Sequence, residues 1–416
     1  MRAAPTRPIA AALLPFLGLL AIASFYPAED DETIMPWIDE GIIERHHPTY
    51  YNYYHYRVGG GEYDDDRAAA GRSENETASW PSSHREQSHR SREEVRRLQF
   101  VAERRRLQKL EDMNIMDDET KRKHTKNFLG GLFPPVDKDM LPLYLRDTSD
   151  AGTDLSNPLD LVYFWHIPKA SGSTMKNIMN YCFGLRRAER VKDIASMEYA
   201  RENILNMDTS SPEGLSFSFQ KHIVNSNKVD VIVSNYFLSG AALFNDLHYG
   251  RTFAILRHPV DVALSLFHYR KMATWERSYR KEWNKITFRE YVDSDNYIDN
   301  WMVRQLTGTM PWVALSTAHF DRAKLIMTRK IFVGVAEEMN ETMRQLKAHF
   351  RWVEKRPQCA YEFINTKPTN ANGHPQLQGG KGGSTWHAVI AKDKWDMSLY
   401  HYGLEMFAQQ RKRYPP

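Results

Sequence analysis

Between Asp160 and Ile167 the chain reads DLVYFWHI, a near-continuous apolar run that passes directly into Pro168-Lys169-Ala170-Ser171-Gly172-Ser173-Thr174. Such a run is the pattern of a parallel strand covered on both faces. The residues that follow, Met175 to Phe183, suit a helix. Strand, short Gly/Ser turn and helix gather several backbone N–H groups and the positive end of a helix dipole at one point, which favours a bound phosphate. Lys169 adds a full positive charge there. The fold expected from this unit is a single α/β domain from about residue 155 to the end, a mostly parallel sheet with helices on both faces.

A nucleotide-hydrolysing phosphate loop needs G-x-x-x-x-G-K-[ST], with the lysine after the glycines. Here Lys169 precedes Gly172, and no hydrophobic strand ends in a convincing metal-binding Asp, so Mg-dependent phosphoryl transfer fits poorly. The segment Phe164 to Met175, FWHIPKASGSTM, instead resembles the 5'-phosphosulfate loop of the Golgi carbohydrate sulfotransferases, whose usual form is close to H-I-P-K-T-G-G-T. Ala170-Ser171 and Ser173 depart from that form by small-residue swaps, which a close approach of backbone to phosphate tolerates.

A second element strengthens the resemblance. Ala254 to Arg270 reads AILRHPVDVALSLFHYR, a short apolar strand ending at Arg257, then Pro259 at a helix start and Ser265 eight residues after the arginine. In the family an Arg and a Ser at this spacing bind the 3'-phosphate of the donor, 3'-phosphoadenosine 5'-phosphosulfate (PAPS). A guanidinium gives paired, charge-assisted bonds to a phosphate dianion, and a hydroxyl on the inner face of the helix can supply another. His258 replaces the family's common Asp between Arg and Pro, a change expected to have little consequence. Asn300 to Gly308, Phe332 to Leu346 and Trp395 to Phe407 resemble the same family, so the likeness spans roughly residues 158 to 416.

The resemblance implies a P-loop-like three-layer sandwich that transfers a sulfuryl group from PAPS to an acceptor hydroxyl, first of all on a glycan or glycoprotein. Lys169, Ala170, Ser171, Gly172, Ser173, Thr174, Arg257 and Ser265 are the implied donor-binding residues, and Lys169 is also the catalytic one. No metal is expected, because a cation and a helix dipole can neutralise the leaving phosphate and no metal-ligand spacing is present. The general base stays open. Related glycan sulfotransferases often carry a Gly-His pair after the strand that precedes the 3'-phosphate element; here Val229 to Val233 runs into Ser234-Asn235-Tyr236. His222, His248 and an acid from elsewhere are the alternatives. Two rivals also stand: a non-catalytic PAPS- or glycan-binding relative, and a nucleotide-dependent kinase.

The amino terminus bears on where such chemistry would happen. Arg2 and Arg7 precede a mostly apolar stretch from Ile9 to Tyr26, followed at once by Glu29, Asp30, Asp31 and Glu32, a positive-inside pattern. Residues 1–8 then form a cytoplasmic tail and 9–26 a signal anchor of a single-pass, type II Golgi membrane protein; cleavage near Ala21-Ile22-Ala23 would release the rest into the secretory lumen. Residues 27–154 read as a luminal stem too polar to bury a core, with a charged helix near 91–126 that either spaces the domain or pairs two copies. Asn75-Glu76-Thr77 and Asn340-Glu341-Thr342 match the N-glycosylation pattern, and Asn340 also suits a helix cap.

With 56 Lys and Arg against 52 Asp and Glu, the net charge of +4 gives no support for nucleic-acid binding. Two cysteines, Cys182 and Cys359, are too few for a disulfide scaffold, and whether they form one bridge is left open. The cationic run Arg270, Lys271, Arg277, Arg280 and Lys281 is either a grip on an acidic glycan or a solvated face. The loop Gly379-Gly380-Lys381-Gly382-Gly383 is either a lid over the donor or plain flexibility.

Overall fold

The structure is a computed structural model that describes residues 118–148, 157–191, 196–274, 279–366, 375–377 and 379–415. The tail, the anchor at 9–26, the Asn75 sequon, Arg277 and most of the charged helix at 91–126 lie outside these residues. Among the described residues no helix is long and apolar enough to cross a membrane.

The fold is α/β. Seven strands, β1 (Leu161–Trp165), β2 (Arg187–Glu189), β3 (Tyr199–Arg201), β4 (Ile204–Asn206), β5 (Val231–Ser234), β6 (Gly250–Leu256) and β7 (Ile331–Val335), form one sheet in the order β3-β4-β2-β5-β1-β6-β7. Every pairing is parallel except β3 with β4. The apolar run of β1 has its explanation in this position: it hydrogen-bonds on both sides, Phe164 aligning with Val233 of β5 and with Phe253 of β6, and all five of its residues are buried.

Successive side chains leave a strand on opposite faces, and each face here meets its own helices. Tyr163, Trp165, Ile232 and Leu256 pack with Val303 of the helix Trp301–Thr307, Met327 of Thr317–Lys330 and Leu399 of Lys394–Arg413. Phe164, Val233, Ile255 and Phe332 pack on the other face with Met175 of Gly172–Asn177, Leu346 of Met339–Phe350 and Ala360 of Cys359–Asn365. Each fully buried large apolar side chain contributes about 1.5–3 kcal/mol relative to exposure. A third, smaller core joins Pro259–Met272, Phe288–Asp293 and Ser384–Lys392 through Val260, Phe267, Val292 and Val389.

One boundary moves and one open question closes at this level. The composition extends the stem to residue 154, yet the helix Asp118–Leu129 and the segment after it pack against the α/β unit. Leu129 is buried, Leu141 and Leu145 belong to the first core, the Arg146 N–H donates to the Gly250 carbonyl at 2.9 Å, and Lys330 Nζ donates to the Leu145 carbonyl at 2.7 Å. Leu141 and Leu145, with Leu132 and Tyr144 packed beside them, seat the segment at the start of β6, where Leu145 bridges Gly250. Cys182 and Cys359 are joined, across 177 residues, tying the end of the first helical segment to Cys359–Asn365.

Candidate functional site

Because β1 and β6 are parallel neighbours, residues 166–174 and 257–265 leave the sheet at the same carboxyl edge, where open α/β sheets bind their ligands. Lys169 and Ser171 both adopt left-handed backbone, with φ of 63° and 59°. Bulky residues rarely hold that conformation, and turns of this kind aim successive N–H groups at a common point. The Met175 N–H bonds the Ser171 carbonyl at 3.0 Å, so the helix starts at Gly172, three residues before the expected Met175, and passes at Ile178 into a wider turn that ends at Cys182. Gly172 is required here: a Cβ would lie 1.9 Å from Nε2 of His166, whose ring folds over the loop.

Arg257 reaches the loop directly. Its Nη1 donates to the Lys169 carbonyl at 2.9 Å. Burial, and then the nearby Arg257 charge, hold the Lys169 ammonium below its ordinary pKa. Among the described residues neither cation is paired with a carboxylate. Ser265 lies within the helix Pro259–Met272 and is 7% exposed. Lys169 and Arg257 are thus brought together, with Ala170 to Thr174 forming the loop and first helical turn between them.

Four residues near the loop escaped the sequence reading of the site. Lys176 Nζ lies 2.5 Å from one Glu189 oxygen and Arg187 Nη2 lies 2.6 Å from the other, with Arg187 itself only 3% exposed at its side chain. Glu189 is partly buried, its side chain 30% exposed, yet the two cations outweigh the desolvation and pull its carboxyl down to about 2. His166 feels Lys176, Glu189 and Lys169, and burial drives its pKa down to about 3, so it stays neutral. The three-residue strand β2 that delivers Arg187 and Glu189 carries too short a pattern to be read.

The two histidines considered as bases lie elsewhere. His222 is exposed in a turn before β5. His248 precedes β6, buried, with Nδ1 3.3 Å from Asn225 Nδ2. In a parallel sheet both therefore belong to the amino edge, opposite the loop. The Ser234-Asn235-Tyr236 turn is structural: Trp165 Nε1 donates to the Asn235 carbonyl at 3.2 Å, and the Tyr236 N–H donates to Ser234 Oγ.

His258 is embedded. Its backbone N–H donates to Glu337 Oε1 at 2.9 Å, its ring stacks on Trp386 at 4.9 Å between centroids, and its buried Nδ1 has no hydrogen-bond partner among the described residues. The Gly379–Gly383 loop stands beside it, with positive φ at Gly379, Gly380 and Gly382 and Lys381 Nζ 6.0 Å from the Trp386 ring. In the cationic run, Arg270 donates to the Tyr291 hydroxyl at 2.7 Å and Lys271 lies over the Phe267 ring, while Arg280 and Lys281 are exposed. Asn340 of the second sequon sits inside the helix Met339–Phe350, and its Thr342 hydroxyl is spent on the backbone of Val335. Among the described residues no group of three or more His, Cys, Asp or Glu side chains could hold a metal ion. No family model matches the chain, and no curated protein matches it.

Proposed function

We propose that this protein is a PAPS-dependent sulfotransferase, P-loop-like in fold, acting on a hydroxyl of a glycan. The observation that carries the reading is the junction of two cations, Lys169 and Arg257, at a loop that opens a helix, neither neutralised by a carboxylate among the described residues. A site of that charge suits a donor bearing a phosphate at each end.

In this reading Arg257 and Ser265 hold the donor's 3'-phosphate, and Lys169 with the loop through Thr174 holds the 5'-phosphosulfate. The acceptor oxygen attacks sulfur in line. The bond from sulfur to the 5'-phosphate oxygen breaks, and the electron pair leaves with 3'-phosphoadenosine 5'-phosphate (PAP), whose new charge Lys169 and the loop N–H groups stabilise. The acceptor's proton goes to Glu189, ionised at neutral pH, which becomes a better base when Lys176 turns from it toward the donor's anionic oxygens. The anchor at 9–26 would hold this unit in the Golgi lumen, and the Cys182–Cys359 bridge suits such an oxidising compartment.

The test is incubation of the full chain with PAPS and a panel of desulfated glycans, following PAP release and sulfate incorporation together. Coupled appearance of both supports the reading. PAP binding without turnover on any acceptor would favour the non-catalytic relative, and turnover of ATP with Mg would favour the kinase.

A further inference from the structure

Lys169 carries a positive charge in a partly buried place, pressed by the Arg257 guanidinium, with no carboxylate partner among the described residues. Something must keep that ammonium both charged and aimed. The helix Pro259–Met272 begins two residues after Arg257 and bears Ser265 and Tyr269 four residues apart, hence on one face. Tyr269 brings its ring to the side-chain end of Lys169, with Nζ 4.3 Å from the centroid. Arg257 grips the same residue at its other end, through the main-chain carbonyl.

We propose that Tyr269 is a positioning residue: its ring face holds the Lys169 ammonium charged and in place at the loop, ready to pass to an arriving anion. A cation lying over an aromatic face within about 6 Å is attracted by the ring quadrupole, more strongly where water is excluded. The ring offers that attraction without a negative charge. A carboxylate in the same place would form an ion pair that the incoming donor had to break, and would repel the donor's phosphates; an aromatic face does neither. Arg257 is the charged group that disfavours the Lys169 charge, and the uncharged Tyr269 ring favours it; nearby, Lys176 and Glu189 neutralise each other and His166, on the strand end before the loop, stays neutral.

The role of Lys169 at a donor site rests on the function proposed above, but the hold of Tyr269 on its ammonium does not, and the experiment separates the two. Lys169 in the full chain is labelled with acetic anhydride across a pH series and quantified by peptide mass spectrometry. The midpoint reports how tightly the ammonium keeps its proton, and the plateau reports access. In Tyr269→Leu the midpoint moves to lower pH, so that labelling on the acid side rises about fivefold; Tyr269→Phe, which keeps the ring, retains the original midpoint. An unchanged midpoint in Tyr269→Leu, or a shift of equal size in Tyr269→Phe, overturns the proposal. PAP titrations of the same proteins address the donor reading alone: if the wild-type chain fails to bind PAP while the labelling shift occurs, the sulfotransferase reading falls and the role of Tyr269 stands.

Discussion

The two edges of the sheet use charge in opposite ways. At the amino edge positive groups meet negative ones: Asp160, with its side chain 1% exposed, takes both Arg146 and Arg251, Arg186 clasps Asp230, and Asp147 holds Arg329 and Lys330. A cavity of about 300 Å³ opens there among these ion pairs, with Trp352 and His248 in its wall. At the carboxyl edge, beside the matched Lys176–Glu189–Arg187 cluster, Lys169 and Arg257 converge on one loop with no carboxylate partner among the described residues and rest against a carbonyl and an aromatic ring. Matched charges lock a structure, whereas like charges gathered without counterions store an electrostatic demand that an anionic ligand relieves.

The contrast can be broken at several points. The largest effect is expected at Glu189. Glu189→Gln should lower turnover about 10²–10⁴-fold in the sulfation assay while PAP affinity rises rather than falls, because the base is lost and Lys176 is released toward the donor. At the amino edge Asp160→Ala removes the buried carboxylate from between Arg146 and Arg251 and should cost about 3–5 kcal/mol in denaturant unfolding, with PAP affinity unchanged in the protein that remains folded. A fragment starting at residue 150 loses Leu141 and Leu145 from the first core and should unfold at lower denaturant than one starting before residue 118.

The smallest effect concerns pH. Asp393 and Asp396 are buried where Lys394–Arg413 meets Trp301–Thr307, accepting the Asn300 N–H and the Met302 and Val303 N–H groups. Burial raises their carboxyls to about 7 and about 8. Folded values above the ordinary one of 3.8 mean that the folded chain holds more protons between roughly pH 4 and 8. Their contribution is therefore full at low pH and is lost as pH rises through that window. Thermal unfolding at pH 6 should come a few degrees above that at pH 8.5, and Asp393→Asn should narrow the gap.

What the sequence made legible follows the same divide between local and distant. The loop from His166 to Thr174 and the Arg257-to-Ser265 element were readable because each is a continuous segment whose strand, turn and helix announce themselves within twenty residues. Glu189 and the contact of Tyr269 were not, since only the placement of β2 and β6 in the sheet decides which distant side chains meet the loop. His248 misled for the same reason: it is near in sequence to the second element but enters its strand at the opposite end. The segment at 118–148 looked like stem because its few leucines form no periodic face and find their core in residues a hundred positions away.

The most direct test of the carboxyl-edge account is calorimetric titration of the full chain with PAP, run beside ATP with Mg and beside Arg257→Ala. The account predicts PAP binding that needs no added metal and weakens about 10–100-fold in Arg257→Ala. Preference for ATP with Mg, or PAP affinity indifferent to Arg257, would contradict it.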